Sequence, residues 1–142
     1  MAVMTREEAL AFLAADPAHT GKLALVRSDG APIVVPIWFV LDGETLIFTT
    51  HSENAKGRIL SRDPRVALCV DDERPPFAFV TVHGRAALSE NPSELLAWAT
   101  RIGGRYMGPA RAKEFGTRNG VPGELLVRVR IERVRGESGV AD

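Results

Sequence analysis

The sequence predicts a mainly β protein, a small six-stranded antiparallel β-barrel with helices at its periphery. Three observations carry that reading. Asp29-Gly30 and Asp42-Gly43 each stand between apolar runs, the pattern of tight hairpins. The helix signals are few and do not alternate with strands as a βαβ sheet requires. Residues 124–134 alternate cleanly, with Leu125, Val127, Val129 and Ile131 on one face and Arg128, Arg130 and Glu132 on the other. Closing such a sheet would also remove its exposed edges.

Taken in order, Thr5-Arg6-Glu7-Glu8 is a capping box. The helix it opens stops near Asp16-Pro17, because a residue before proline avoids helical angles. Strands follow at 22–27, 33–41 and 45–50, joined by the two hairpins. Residues 54–62 read as a short helix with Ser52 or Glu53 near its start, ended by Asp63-Pro64. A fourth strand covers 65–71 and a fifth 77–88, where Gly84 marks a bulge. Asn91-Pro92-Ser93-Glu94 opens a helix with a capping asparagine and a proline at its first position. Gly103-Gly104 weakens that helix after about Arg101, and residues 109–115 form one more short helix. The last strand is 124–134, with a phase slip at Arg133-Val134 that signals a bulge or the strand's end.

At 142 residues, 45% hydrophobic and 25% charged, the chain reads as a single soluble domain, residues 1–142. Eighteen basic residues balance eighteen acidic ones, so nothing calls for nucleic acid or an anionic membrane as partner. The lone Cys69 excludes an internal disulfide and reads as an inert core thiol. His19, His51 and His83 lack metal-ligand spacing, so no metal is expected. The acidic run Asp71-Asp72-Glu73 reads as a solvated turn. There is no phosphate loop, no dinucleotide fingerprint and no nucleophile elbow. With neither a signal pattern nor an apolar run long enough to span a membrane, the expected location is cytoplasmic.

The strand at 33–41 is apolar on both faces, although an antiparallel strand over one core should alternate. Something must cover its second face: the protein's own helices, or another copy of the strand across a two-fold axis. Pro32 and Pro36 lie on the same side and interrupt ladder pairing. A barrel split along that line would leave a gap for ligand or partner. Thr49, Thr50, His51, Ser52 and Lys56 follow at a strand–helix junction, where free N–H groups and a cation can hold a phosphate. A lysine so near a helix start gains nothing from the macrodipole, so an anion explains it better. The apolar strand beside it suits a flat ring.

The residues P-I-W-F (36–39), F-T-T (48–50), N-A-K-G-R-I-L (54–60) and D-P-R-V-A-L-C-V-D-D-E-R-P-P-F (63–77) resemble the pyridoxamine 5′-phosphate oxidase-like split β-barrels, which bind FMN. More closely they resemble the actinobacterial branch that uses the deazaflavin coenzyme F420. The resemblance covers residues 10–134. It implies a homodimer with two equivalent cofactor sites at the interface, and a hydride transfer from reduced F420 to an electron-poor acceptor. Val34, Pro36, Ile37 and Trp38 would run beside the ring. Thr49, Thr50 and Lys56 would hold the phosphate, with Arg58 reaching the acidic tail. Phe77 and Phe79 would come from the other subunit. FMN oxidases of the group carry serine-arginine-lysine where this chain has Asn54-Ala55-Lys56. One cation fewer favours the singly charged phosphate diester of F420 over the dianion of FMN. No catalytic residue is assigned; the proton that follows the hydride has solvent, Tyr106 or His51 as its source. The alternatives are an FMN-dependent flavoprotein and a non-catalytic carrier of flavin, deazaflavin or haem.

Overall fold

A computed structural model describes residues 1–142. Its strands are β1 (Ala2–Val3), β2 (Gly21–Val26), β3 (Pro32–Ile37), β4 (Val40–Asp42), β5 (Thr45–His51), β6 (Arg65–Asp72), β7 (Ala78–Ser89) and β8 (Glu124–Ser138). Its helices are α1 (Arg6–Ala14), α2 (Ala55–Leu60), α3 (Pro92–Met107) and α4 (Ala112–Asn119), with a 3-10 turn at Pro109–Arg111. The two Asp-Gly hairpins form as expected. Gly30 and Gly43 take φ values of 89° and 60°, which side chains resist.

All eight strands join one antiparallel sheet, ordered β3-β2-β6-β7-β8-β5-β4, with β1 added on β8. Strands all along this path send side chains into one core: Leu23, Leu68, Val82, Val127 and Phe48 are buried together. The sheet therefore wraps that core. It does not close. Its two edges, β3 and β4, are consecutive in the chain and separated only by Trp38 and Phe39.

The expected six strands are thus eight. Residues 33–41 are two strands, because β3 pairs with β2 whereas β4 pairs with β5. The predicted split is present where the prolines stand: Pro32 and Pro36 lie on the edge strand β3, opposite Val26 and Lys22. β1 has two residues, too few to carry a periodic signal.

The bulge expected at Gly84 and the phase slip expected at Arg133-Val134 are one irregularity. The register steps from His83↔Arg133 to Gly84↔Ile131, leaving Glu132 without a partner. This produces the phase slip in β8, and β8 continues beyond it to Ser138. Gly84 is required there, because a Cβ would run into the Arg130 carbonyl.

α1 has its capping box, with the Glu8 N–H donating to Thr5 Oγ1 and the Thr5 N–H to Glu8 Oε1, both at 3.1 Å. α3 runs past Gly103-Gly104 to Met107, further than expected. The glycines cost helix propensity, but they let α4 approach: a Cβ on Gly103 would strike Phe115, and one on Gly104 would press on Ala112. The residues from 109 begin as a 3-10 turn, and the α-helix proper lies later than expected, at Ala112–Asn119. α3 covers a second, smaller core of Val40, Ile47, Leu95, Ile102 and Leu126.

Candidate functional site

The turn between β5 and α2 is pinned to its surroundings. Asn54 caps α2 by accepting from the Gly57 N–H at 3.0 Å, and Thr50 Oγ1 donates to the same oxygen at 3.1 Å. The Ser52 N–H donates to the Gly123 carbonyl at 2.9 Å, extending the β5–β8 ladder. Gly57 packs so closely on the His51 carbonyl and Ser52 that no side chain fits. His51 Nδ1 accepts the Glu53 N–H at 3.1 Å, so the neutral ring carries its proton on Nε2.

Against this turn opens a cavity of about 500 Å³. Pro36, Ile37 and Trp38 form one wall. Thr49, Thr50 and His51 line it from the end of β5, and Lys56 from α2. These are seven of the twelve residues expected at the site, brought together from separate elements. Thr20, Asn54, Ile102, Asn119 and Glu124 complete the lining and were not anticipated. Asn54 lay in the quoted motif. The others arrive through pairings distant in sequence: Glu124, for instance, sits opposite His51 in the β5–β8 register.

The Trp38 wall is braced from behind. Its ring stacks on Tyr106, with centroids 5.2 Å apart and planes 3° from parallel, and tilts against Phe115. The Tyr106 hydroxyl donates to the His19 carbonyl at 2.8 Å and accepts the Phe39 N–H at 3.3 Å. Burial pushes the phenol above its ordinary pKa. Committed to two backbone groups, Tyr106 is a structural brace and not a free proton source.

Lys56 forms no ion pair. Burial raises the Glu124 carboxyl above its usual range, while the nearby charges of His51 and Lys56 pull it back. Asn54 already occupies one N–H of the first turn of α2, and Thr50 spends its proton on Asn54, which leaves Lys56 as the cationic side chain of this lining.

Other expected site residues lie apart from the cavity within one chain. Ser52 does not line it. Val34 points outward from β3 and is 66% exposed. Arg58 joins Arg27 and Arg62 in a separate hollow of about 260 Å³, reached from the face of α2 opposite Lys56, since two residues advance a helix by about 200°. Phe77 sits exposed in the turn before β7 with φ 68°, an uncommon backbone for an aromatic residue. Phe79 lies within β7 between Asp71 and Glu137.

A hollow of about 580 Å³ beside Arg101 and Arg105 offers less chemistry. Arg105 donates to the Phe39 and Leu13 carbonyls, both at 2.7 Å, and Arg101 lies over the Trp98 ring. Arg128 pairs with Glu94 and Arg130 with Glu132, as an exposed strand face would. Asp71 pairs with Lys22 and Asp72 with Arg74, so the two aspartates of the acidic run are committed to cations of the chain itself. Cys69 is not in the core: it lies half-buried on the outer face of β6, its thiol pKa raised first by burial and then by Asp71. No helix is long and apolar enough to cross a membrane.

Known proteins share this fold. The structure superposes on a conserved hypothetical protein from Mycobacterium tuberculosis with a TM-score of 0.82 at 24% identity, covering 96% of this chain and 86% of that one. It is similar to an F420 reductase at 29% identity and a TM-score of 0.69, covering 87% and 94% of the two chains. An FAD-binding protein from Mesorhizobium loti shares the fold at 21% identity and a TM-score of 0.71, covering 95% of each chain. No curated protein matches the sequence. The family model for pyridoxamine 5′-phosphate oxidase matches residues 5–137, and the chain belongs to that family of flavin-binding oxidoreductases.

Proposed function

We propose that this protein is a reductase that uses reduced coenzyme F420 to deliver hydride to an electron-poor small molecule, on a site completed by a second copy of the chain. The observation that carries the reading is the cavity itself. It joins an apolar wall at Pro36–Trp38 to a polar end holding one unpaired lysine, Lys56. That suits a flat ring bearing a singly charged phosphate diester. The F420 reductase among its structural relatives supports the same choice.

When bound, the reduced deazaflavin supplies the hydride, and the protein's part is to position and to exclude water. Trp38, held by Tyr106, fixes the ring-side wall. Lys56 meets the phosphate with a charge-assisted bond. Arg58, with Arg27 and Arg62, offers cations for an acidic tail that passes around α2. His51, exposed and carrying its proton on Nε2, is a side chain of the cavity able to hold a proton for transfer.

The dimer reading rests on β3. Its outward residues Pro32, Val34 and Pro36 are exposed, and no helix of the chain covers them. A second copy would cover that face and would bring its own Phe77 and Phe79 toward the site.

Titration with F420 and with FMN tests the proposal. F420 binds and FMN binds more weakly; micromolar FMN binding with none of F420 would overturn the reading in favour of an FMN flavoprotein. Lys56→Ala weakens F420 binding by about 1.5–3 kcal/mol, the usual worth of a hydrogen bond to a charged group. Unchanged affinity would remove Lys56 from the site.

A further inference from the structure

Two opposite charges share the cavity without neutralising one another. Lys56 and Glu124 both line it, yet neither enters an ion pair. The Glu124 end of this arrangement is held by backbone. Glu124 opens β8 directly opposite His51 of β5. Gly123 before it has φ 97°, accepts the Ser52 N–H, and leaves open the space where a Cβ would meet His51 Nε2. The carboxylate is half-buried and has no hydrogen-bond partner in the protein, so its position does not serve the fold. Beside the one lysine of a phosphate-holding end, a carboxylate subtracts attraction.

We propose that Glu124 is a charge selector, admitting a singly charged phosphate diester beside Lys56 and disfavouring a doubly charged phosphomonoester. The inference rests on reading the Lys56 end as the phosphate end. With both groups ionised and His51 neutral, the formal charge of the cavity is zero. Coulomb energy is linear in ligand charge. Glu124 therefore opposes a dianion twice as strongly as a monoanion at the same place, and leaves an uncharged ligand untouched. The selection of diester over monoester then comes from a repulsive group as well as from a missing cation.

The test is equilibrium binding of the full chain and of Glu124→Gln at pH 8, where the FMN phosphate is a dianion, its second pKa being about 6. The probes are FMN, F420 and riboflavin, which is FMN without its phosphate. Glutamine keeps the shape and loses no protein partner, and an unchanged melting curve verifies the fold. The expected gain is about fivefold for F420 and about 25-fold for FMN, the square that doubled charge implies, with riboflavin unchanged. An FMN affinity that the substitution leaves alone, or FMN and riboflavin raised by the same factor, would overturn the proposal. If F420 fails to bind while the FMN-to-riboflavin ratio still rises, the F420 reading falls and the charge selector stands. If F420 binds and that ratio stays fixed, the charge selector falls and the F420 reading stands.

Discussion

β3 and β4 are neighbours in sequence, belong to one apolar run, and meet opposite fates. Val40 of β4 is buried in a small core with Ile47, Leu95, Ile102 and Leu126, roofed by α3. β3 turns Ile33 and Val35 onto the main core, but its outer residues Pro32, Val34 and Pro36 meet solvent. That bare surface continues onto β2, where Ala24 stands opposite Val34 and Val26 opposite Pro32. A strand that fails to alternate reports that both faces want cover; it does not report who covers them. Here the chain's own helix covers one half. The other half meets solvent in the single chain, and it adjoins the Pro36–Trp38 wall of the cavity.

The contrast can be broken by substitution. The largest effect belongs to the roofed side. Ile47→Ala, at a fully buried position, should cost about 2–5 kcal/mol through lost burial and a cavity under α3, read by chemical denaturation. Next comes Arg105, which ties α3 to the Phe39 and Leu13 carbonyls. Arg105→Met keeps the stem and orphans those acceptors, at about 1–3 kcal/mol; unchanged stability would mean that α3 stays docked by apolar packing alone. The smallest effect on a folded protomer belongs to the bare side. Ala24→Arg on the outer face of β2 should change protomer stability by less than about 1 kcal/mol, while converting the sedimenting species from dimer to monomer. A variant that unfolds instead would mean that the face is packed within the protomer.

Much of the fold was legible because its signals are local. Asp-Gly hairpins, the Thr5 and Asn91 caps and the alternation of β8 all depend on residues a few positions apart. The break at Trp38-Phe39 was not legible, because an apolar run looks the same whether its partner strand changes or not. The reach of α3 was misjudged for a related reason: Gly103 and Gly104 weaken a helix in isolation, and only the approach of α4 shows what they are for. At the site, the wall and the lysine were legible from the motifs around Pro36 and Lys56. Glu124, Asn119 and Ile102 were not, since they arrive through β8, α4 and α3, elements remote in sequence.

The central claim is that the bare β3 face and the cavity beside it form one site shared between two copies. F420 titration of Ala24→Arg, whose residue lies outside the cavity lining, tests it most directly. The account predicts a folded monomer that has lost F420 affinity at least tenfold relative to the wild-type dimer, about 1.4 kcal/mol. A folded monomer that binds F420 as tightly as the wild type would contradict it.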